Sequence, residues 1–382
     1  MREHTDELAK LQTPCLVVDE AKMKRNIDRL AERARNLNVL LRPHLKTVKS
    51  VDAARCILTN GTGPATVSTL AEADVFSNAG IKDIVYAVGI SPQKLDRVLT
   101  LRRAGCDLVV ILDSIEQANA VASASRASGI EIPAMIEIDS DGHRGGLLPG
   151  EPELLTIGKI LSETGAQLRG VLTHAGESYG ATTVLTQSEF AEQERTSVVT
   201  AAQSLRAAGM SCPVVSVGST PTAHAATDLT GVTEMRAGVY VFFDLVMAGI
   251  NVCTLDDIAL SVLTTVIGHQ KSRDWIIVDA GWMAMSRDRG TATQSVDQGY
   301  GVVCDVNGCV LPDLIVVQAN QEHGVIAHRN GRQGAIPELA VGTQLRILPN
   351  HACATAAQYQ AYNVLSDNAD APNVQWPRFG GW

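Results

Sequence analysis

The sequence predicts an α/β chain in which a (β/α)8 barrel of the TIM type is followed by a second, smaller β-rich domain. Three observations carry that expectation. The chain has 382 residues, more than the roughly 250–300 at which a single hydrophobic core stops growing. From about Asn38 to Val241, β-branched apolar runs alternate with longer Ala/Leu-rich stretches of helical period, the pattern of repeated βα units around a parallel sheet. After Asn251 the texture changes to short alternating runs punctuated by Gly, Pro and Asn, which reads as β-rich.

Taken in order, residues 13–18 (TPCLVV) read as a strand that completes the second domain from the N-terminal end. The barrel strands are expected at 39–44, 65–68, 83–88, 107–112, 134–138, 170–174, 214–217 and 234–240, with helices such as 70–79, 114–128 and 186–208 between them. Eight strands fit a closed barrel better than an open sheet. Further strands are expected at 260–268, 275–279, 314–318 and 344–348. The expected division is a barrel over 19–250 and a β-rich domain over 251–382 together with 1–18.

Hydrophobic residues make up 45% of the chain and charged residues 19%, a composition of globular enzymes. The net charge is −9 with basic residues scattered singly, which excludes the electrostatic footprint of a nucleic-acid binder and favours a small-molecule partner. Residues 1–12 are polar, and no apolar run approaches the roughly 18 residues of a membrane span, so a cytoplasmic protein with no membrane partner is expected. The eight cysteines lie far apart without a CxxC pair. They are expected to be reduced and mostly buried.

In a parallel barrel the chemistry sits at the carboxyl ends of the strands. Lys46 closes the first strand, two residues after His44 and on the same face. An amine held among Arg42 and His44 can be activated for imine formation. Taken alone, Lys46 would equally pass for a surface lysine at a loop entrance. At the other end of the barrel, Gly218-Ser219-Thr220 follows the seventh strand and Arg236-Ala237-Gly238-Val239-Tyr240 falls at the eighth, where barrels bind phosphate with amides and hydroxyls. His351 and Cys353 stand two apart after an apolar strand, so in extended backbone both point one way, and an imidazole beside a thiolate favours zinc.

The segments RPHLKT (42–47), EIDSDGHRGG (137–146), THAGESY (173–179), SVGSTPT (216–222), NQEHG (320–324) and PNHAC (349–353) resemble, in this order, the alanine-racemase-like fold-type III pyridoxal-phosphate enzymes. More narrowly they resemble the D-threonine aldolase and D-serine dehydratase family. The resemblance implies that Lys46 carries pyridoxal 5'-phosphate as an imine, and that Arg144 lies near the cofactor ring and its phenolic oxygen. It further implies that Tyr179 or Arg236 meets the ring nitrogen or ring face, that His44 lies in the cofactor site, and that Gly218, Ser219, Thr220, Gly238 and Tyr240 hold the phosphate. By the same resemblance His351 and Cys353 bind a divalent metal, zinc first, with manganese, cobalt or magnesium as alternatives. Glu322 and His323 would line that site or orient water on the metal.

The resemblance implies D-3-hydroxy amino acids as substrates, with two reactions sharing nearly every residue. A dehydratase releases water and ammonia, while an aldolase releases glycine and an aldehyde. The aldolase branch resembles a pattern with a carboxylate where this chain has Cys353, so dehydration is expected, with D-threo-3-hydroxyaspartate ahead of D-serine. Its second carboxylate needs a cation, for which Arg42, Arg144, Arg287 and His323 are candidates. A non-catalytic cofactor carrier would lack the second domain and the metal pair. The resemblance also implies a homodimer.

Overall fold

The computed structural model describes residues 5–329, 336–366 and 374–382. These divide into two compact units. One comprises Asp28–Gly238 with Gly380–Trp382, and the other the residues up to Ile27 with Val239–Phe379. The division thus falls after Ile27 and Gly238, whereas the sequence suggested residues 18 and 250. The 239–250 segment is tied by its backbone to the second unit, since Ala259 N–H donates to the Phe242 carbonyl at 2.8 Å and Leu245 N–H to that of Pro349 at 3.0 Å.

The first unit contains eight parallel strands, Leu40–Leu41, Ala65–Val67, Asp83–Gly89, Asp107–Leu112, Pro133–Ile138, Gln167–Thr173, Val214–Val217 and Glu234–Met235, paired in chain order with the first beside the eighth. The ring closes where Thr66 N–H donates to the Pro43 carbonyl at 2.8 Å and His44 bridges to Thr66. Helices start where the sequence supplies caps. The side chains of Thr69, Ser114, Thr183 and Ser219 each accept from the backbone N–H three residues on, satisfying donors that a helix start otherwise leaves orphaned. An apolar layer of Val85, Val109, Ile111, Met135 and Leu172 packs within this unit.

Two strand predictions differ instructively. The first strand ends at Leu41, yet Arg42 and His44 still donate N–H bonds to Met235 and Ala237. Pro43 between them has no N–H, and the chain then tightens into a 3-10 turn at Leu45–Thr47. The eighth strand stops at Met235, and residues Val239–Val241 form a 3-10 turn instead of its end.

The second unit is an antiparallel barrel. Its ring runs Leu260–Gln270, Trp275–Val278, Gly324–His328, Val310–Ala319, Val302–Cys304, Gln344–Leu348 and back to the start. Cys15–Asp19 pairs antiparallel with Leu260–Gln270 and parallel with Ala361–Leu365, which in turn pairs with Val374–Pro377. All eight cysteines are free, but burial is less general than expected. Cys106, Cys212, Cys253 and Cys304 are buried, while Cys56 and Cys309 are exposed. Among the described residues no helix is long and apolar enough to cross a membrane.

Candidate active site

The barrel residues singled out by motif, Tyr240 excepted, lie at or just after the strand ends of the first unit. Lys46 projects, exposed, from the 3-10 turn that directly follows the first strand, and the half-buried His44 caps that turn. Gly238 lies against the same turn. A Cβ there would come within 3.0 Å of Thr47 Oγ1 and 3.1 Å of the His44 carbonyl, tighter than ordinary contact, so glycine eases the approach. Arg42 does not join Lys46. Its guanidinium donates to Glu234 at 2.8 Å and to Asp83 at 2.7 Å inside the barrel, which removes it both as an activator of the lysine and as a cation for substrate.

Arg236 is buried, donating to Ser216 Oγ at 2.9 Å and to the Thr173 carbonyl. Ser216 Oγ in turn donates to Glu234 at 2.7 Å, so the two arginines share one carboxylate. Arg144 sits on an exposed bend, 3.7 Å from Glu137. That bend is latched to the next loop, where His143 Nδ1 meets Glu177 Oε1 at 2.8 Å and Glu177 N–H donates to Asp141 at 2.8 Å. Tyr179 stands with its ring 6.1 Å from that of His174.

His174, within the segment 173–179, has no role that the sequence alone assigns. Its Nδ1 meets the Gly218 carbonyl at 2.6 Å, which fixes Nδ1 as the donor and leaves Nε2 as an acceptor. Burial, reinforced by Arg144, Lys46 and Arg236, pushes its pKa down to about 3. His44 is likewise pushed well below the ordinary histidine value, first by burial and then by Lys46, Arg236, His174 and Arg144. Both imidazoles are therefore neutral near pH 7, in a mouth whose charged groups are mainly cations.

The Gly218-Ser219-Thr220 turn divides its work. Gly218 has φ +152°, and a Cβ would come within 1.8 Å of the Arg236 carbonyl. Its N–H donates to Glu194 Oε1 at 2.9 Å, and Ser219 forms a capping box with Thr222. Glu194, fully buried on the helix Val184–Ala207, also accepts from Ala175 N–H and Thr222 Oγ1. Thr220 is different. It is fully buried and its Oγ1 has no hydrogen-bond partner among the described residues. A buried hydroxyl without a partner is costly, and a phosphate oxygen would satisfy it. The donors, the cradle and the surrounding cations therefore fit a phosphorylated, amine-reactive cofactor. Tyr240, in the second unit, is fully buried, its hydroxyl has no hydrogen-bond partner among the described residues, and burial raises its pKa.

In the second unit His351 caps the short helix Ala352–Ala356, which carries Cys353. The extended backbone expected from the spacing is absent, yet the Cys353 thiol still hydrogen-bonds to the imidazole. His351 Nδ1 donates to Asp288 Oδ2 at 2.7 Å, so Nε2 is the nitrogen left for Cys353 or for a metal. Burial alone would lower its pKa, but Asp288 and Cys353 raise it to about 11. Asp244 fixes the start of the helix by accepting from Ala352 N–H at 2.9 Å. Among the described residues no cluster of three or more His, Cys, Asp or Glu side chains is gathered for a metal. The nitrogen and sulfur of this pair, with a carboxylate orienting the histidine, nevertheless suit a borderline-soft divalent ion with open positions. Glu322 and His323 are exposed on the turn before Gly324–His328.

Glu194 and Asp288 escaped sequence reasoning. Glu194 is one charge among several in a polar helix stretch, and only burial distinguishes it. Asp288 lies far from His351 in sequence, without a spacing signal.

Eight parallel strands with a lysine after the first, joined to an antiparallel barrel, define an alanine-racemase-like protein. Residues 18–246 match the alanine racemase N-terminal domain and residues 259–365 a putative serine dehydratase domain. The chain belongs to the alanine racemase N-terminal domain family and, within it, to the branch of D-serine dehydratases and D-threonine aldolases. It is 54% identical to D-threo-3-hydroxyaspartate dehydratase from Delftia sp. (strain HT23), over 99% of this chain and 100% of that protein. The solved structure of that enzyme superposes with a TM-score of 0.95 at 54% identity, covering 98% of this chain and 99% of the other. A D-serine dehydratase of Dictyostelium discoideum is 30% identical over 98% of this chain and 100% of its own length. A 3-hydroxy-D-aspartate aldolase of Paracoccus denitrificans (strain Pd 1222) is 25% identical over 97% of this chain and 92% of its own length.

Proposed function

We propose that the chain is a pyridoxal-phosphate- and divalent-metal-dependent lyase, a dehydratase that removes water and ammonia from D-3-hydroxy amino acids, with D-threo-3-hydroxyaspartate giving oxaloacetate as its principal reaction and D-serine as a secondary substrate. One observation carries the choice of reaction, the 54% identity along the whole chain to an enzyme of that name, against 25% for an aldolase. Cys353 beside His351 is consistent with it, since the aldolase pattern would place a carboxylate there.

Lys46 would hold the cofactor through Nζ, the Thr220 hydroxyl would donate to its phosphate, and Ser219, Gly238 and Tyr240 would complete the phosphate grip. Arg236 and Tyr179 would flank the ring, with Arg144 toward its phenolic oxygen and His44 beside the lysine turn. What pyridoxal phosphate supplies when bound is a sink for the electrons of a bond broken at the substrate α-carbon. Lys46 Nζ, as a free amine, would take the proton from the substrate α-carbon. His174 keeps Nε2 as a neutral acceptor, because its only proton is committed to the Gly218 carbonyl. His351 and Cys353 would bind the metal, whose Lewis acidity toward the departing hydroxide is what a poor leaving group requires near neutral pH. Asp288 holds His351 so that Nε2 is the coordinating nitrogen.

The same reading takes the compartment as the cytoplasm and the assembly as a homodimer, the latter checked by light scattering. The reaction is tested by incubating the metal- and cofactor-loaded protein with D-threo-3-hydroxyaspartate, D-serine and D-threonine and assaying ammonia and glycine in parallel. Ammonia with oxaloacetate is expected. Glycine without ammonia would establish the aldolase in its place.

A further inference from the structure

The second carboxylate of 3-hydroxyaspartate sits on the same carbon as the hydroxyl that must leave. Its receptor therefore has to lie beside whatever holds that hydroxyl. We propose that Arg287 receives this carboxylate and so determines the preference for hydroxyaspartate over serine. The proposal rests on the dehydratase reading and on the metal role of His351 and Cys353.

Arg287 immediately precedes Asp288, whose carboxylate holds His351 at 2.7 Å. The short helix Trp282–Met285, just before it, is tied to the helix carrying Cys353 by Thr355 Oγ1, which donates to the Met285 carbonyl at 2.8 Å. Arg287 thus stands one residue from the histidine's partner, two residues beyond a helix that is tied to the cysteine's own helix. The turn is fixed. Ser286 has φ +72°, a left-handed conformation uncommon for serine, and its Oγ accepts from Asp288 N–H at 3.1 Å. This locks the direction in which Arg287 departs.

The guanidinium is exposed and lies 4.6 Å from the ring centre of Trp282, and among the described residues it makes no hydrogen bond or ion pair. Other arginines are committed differently. Arg289 pairs with Asp297 at 2.7 Å, and Arg42, as shown above, is spent on Glu234 and Asp83. Stacking on an indole face holds a guanidinium in one plane without consuming its donors. That leaves its fork open to a carboxylate in bidentate geometry. D-serine, with hydrogen in place of the second carboxylate, would make no use of it.

The test compares wild type with Arg287→Ala and Arg287→Lys, all metal- and cofactor-loaded, measuring KM and kcat separately for D-threo-3-hydroxyaspartate and D-serine. The KM for hydroxyaspartate should rise about 10- to 100-fold in the alanine variant, with kcat less affected and D-serine within about twofold, while lysine restores part of the loss. Binding is read independently by calorimetry with each enantiomer of malate, which is 3-hydroxyaspartate without its amine, and with 3-hydroxypropionate, which is serine without its amine. Arg287→Ala should weaken a malate enantiomer about tenfold or more and leave 3-hydroxypropionate unchanged. Equal losses for both acids, or none for malate, would overturn the proposal. A wild-type enzyme that released no ammonia from either amino acid would sink the dehydratase reading instead, and the malate comparison would still decide the role of Arg287.

Discussion

The molecule keeps its histidines in opposite states in its two units. In the barrel, burial and the neighbouring Lys46, Arg144 and Arg236 hold His174 and His44 neutral, with the pKa of His174 pushed down to about 3. In the second unit, Asp288 and Cys353 override burial and hold that of His351 up at about 11. In the barrel mouth the cations add to burial, and at His351 the anionic partners outweigh it, so the first site favours an anion and the second a cation. A phosphorylated cofactor with a carboxylate substrate meets the first demand, and a divalent metal, which binds neutral imidazole and thiolate and expels their protons, meets the second.

That contrast can be broken from several sides. The largest effect is expected at Glu234, the carboxylate that balances Arg42 and Arg236 inside the barrel. Glu234→Leu leaves buried guanidinium charge uncompensated and should cost about 3–5 kcal/mol of stability, read as a lowered midpoint in urea. Next comes Asp288→Asn. It frees the imidazole to adopt the wrong tautomer and should weaken metal affinity about 10- to 100-fold, measured by competition with a chelator, while cofactor affinity stays within error. Unchanged metal affinity would mean that His351 is not a ligand.

Thr220→Val sharpens the other side. Replacing the unpartnered hydroxyl by a methyl should weaken pyridoxal phosphate by about 1–2 kcal/mol, yet barely alter pyridoxal, which lacks the phosphate. Equal losses for both ligands would remove Thr220 from the phosphate site. The smallest effect near neutral pH is in the pH dependence of stability, which develops only in acid. His174 has a depressed folded pKa, so its contribution is fully present above the ordinary value of 6.5 and is lost as pH falls toward about 3, where the unfolded chain takes up a proton that the folded chain refuses. His174→Asn should flatten the acid limb of the urea midpoint against pH, and an unaltered limb would show that His174 titrates freely.

What could be read from the sequence follows the same division. The barrel strands carried period and composition, so their number and order were legible, and the motif residues closing them were placed at strand ends. The short strands Val302–Cys304, Gly324–His328, Ala361–Leu365 and Val374–Pro377 were missed, because three to five residues with mixed polarity carry too little period to stand out. His351 and Cys353 were noticed for an extended geometry that the chain does not adopt, and they meet because the backbone turns into a helix between them. The groups that tune these residues were invisible. Glu194 beneath the Gly218 turn, Glu234 between two arginines, and Asp288 on His351 are all partnered across long stretches of chain, and spacing rules reach only along local elements. The fold was legible and motifs singled out the candidate residues, but the charges that surround them were not legible.

The most direct test of the account is the visible spectrum of a Lys46→Ala protein supplied with pyridoxal phosphate and zinc. The account predicts a folded protein with an unchanged melting temperature, no imine absorbance, and no ammonia from D-threo-3-hydroxyaspartate. An imine band of wild-type strength together with undiminished turnover would contradict it.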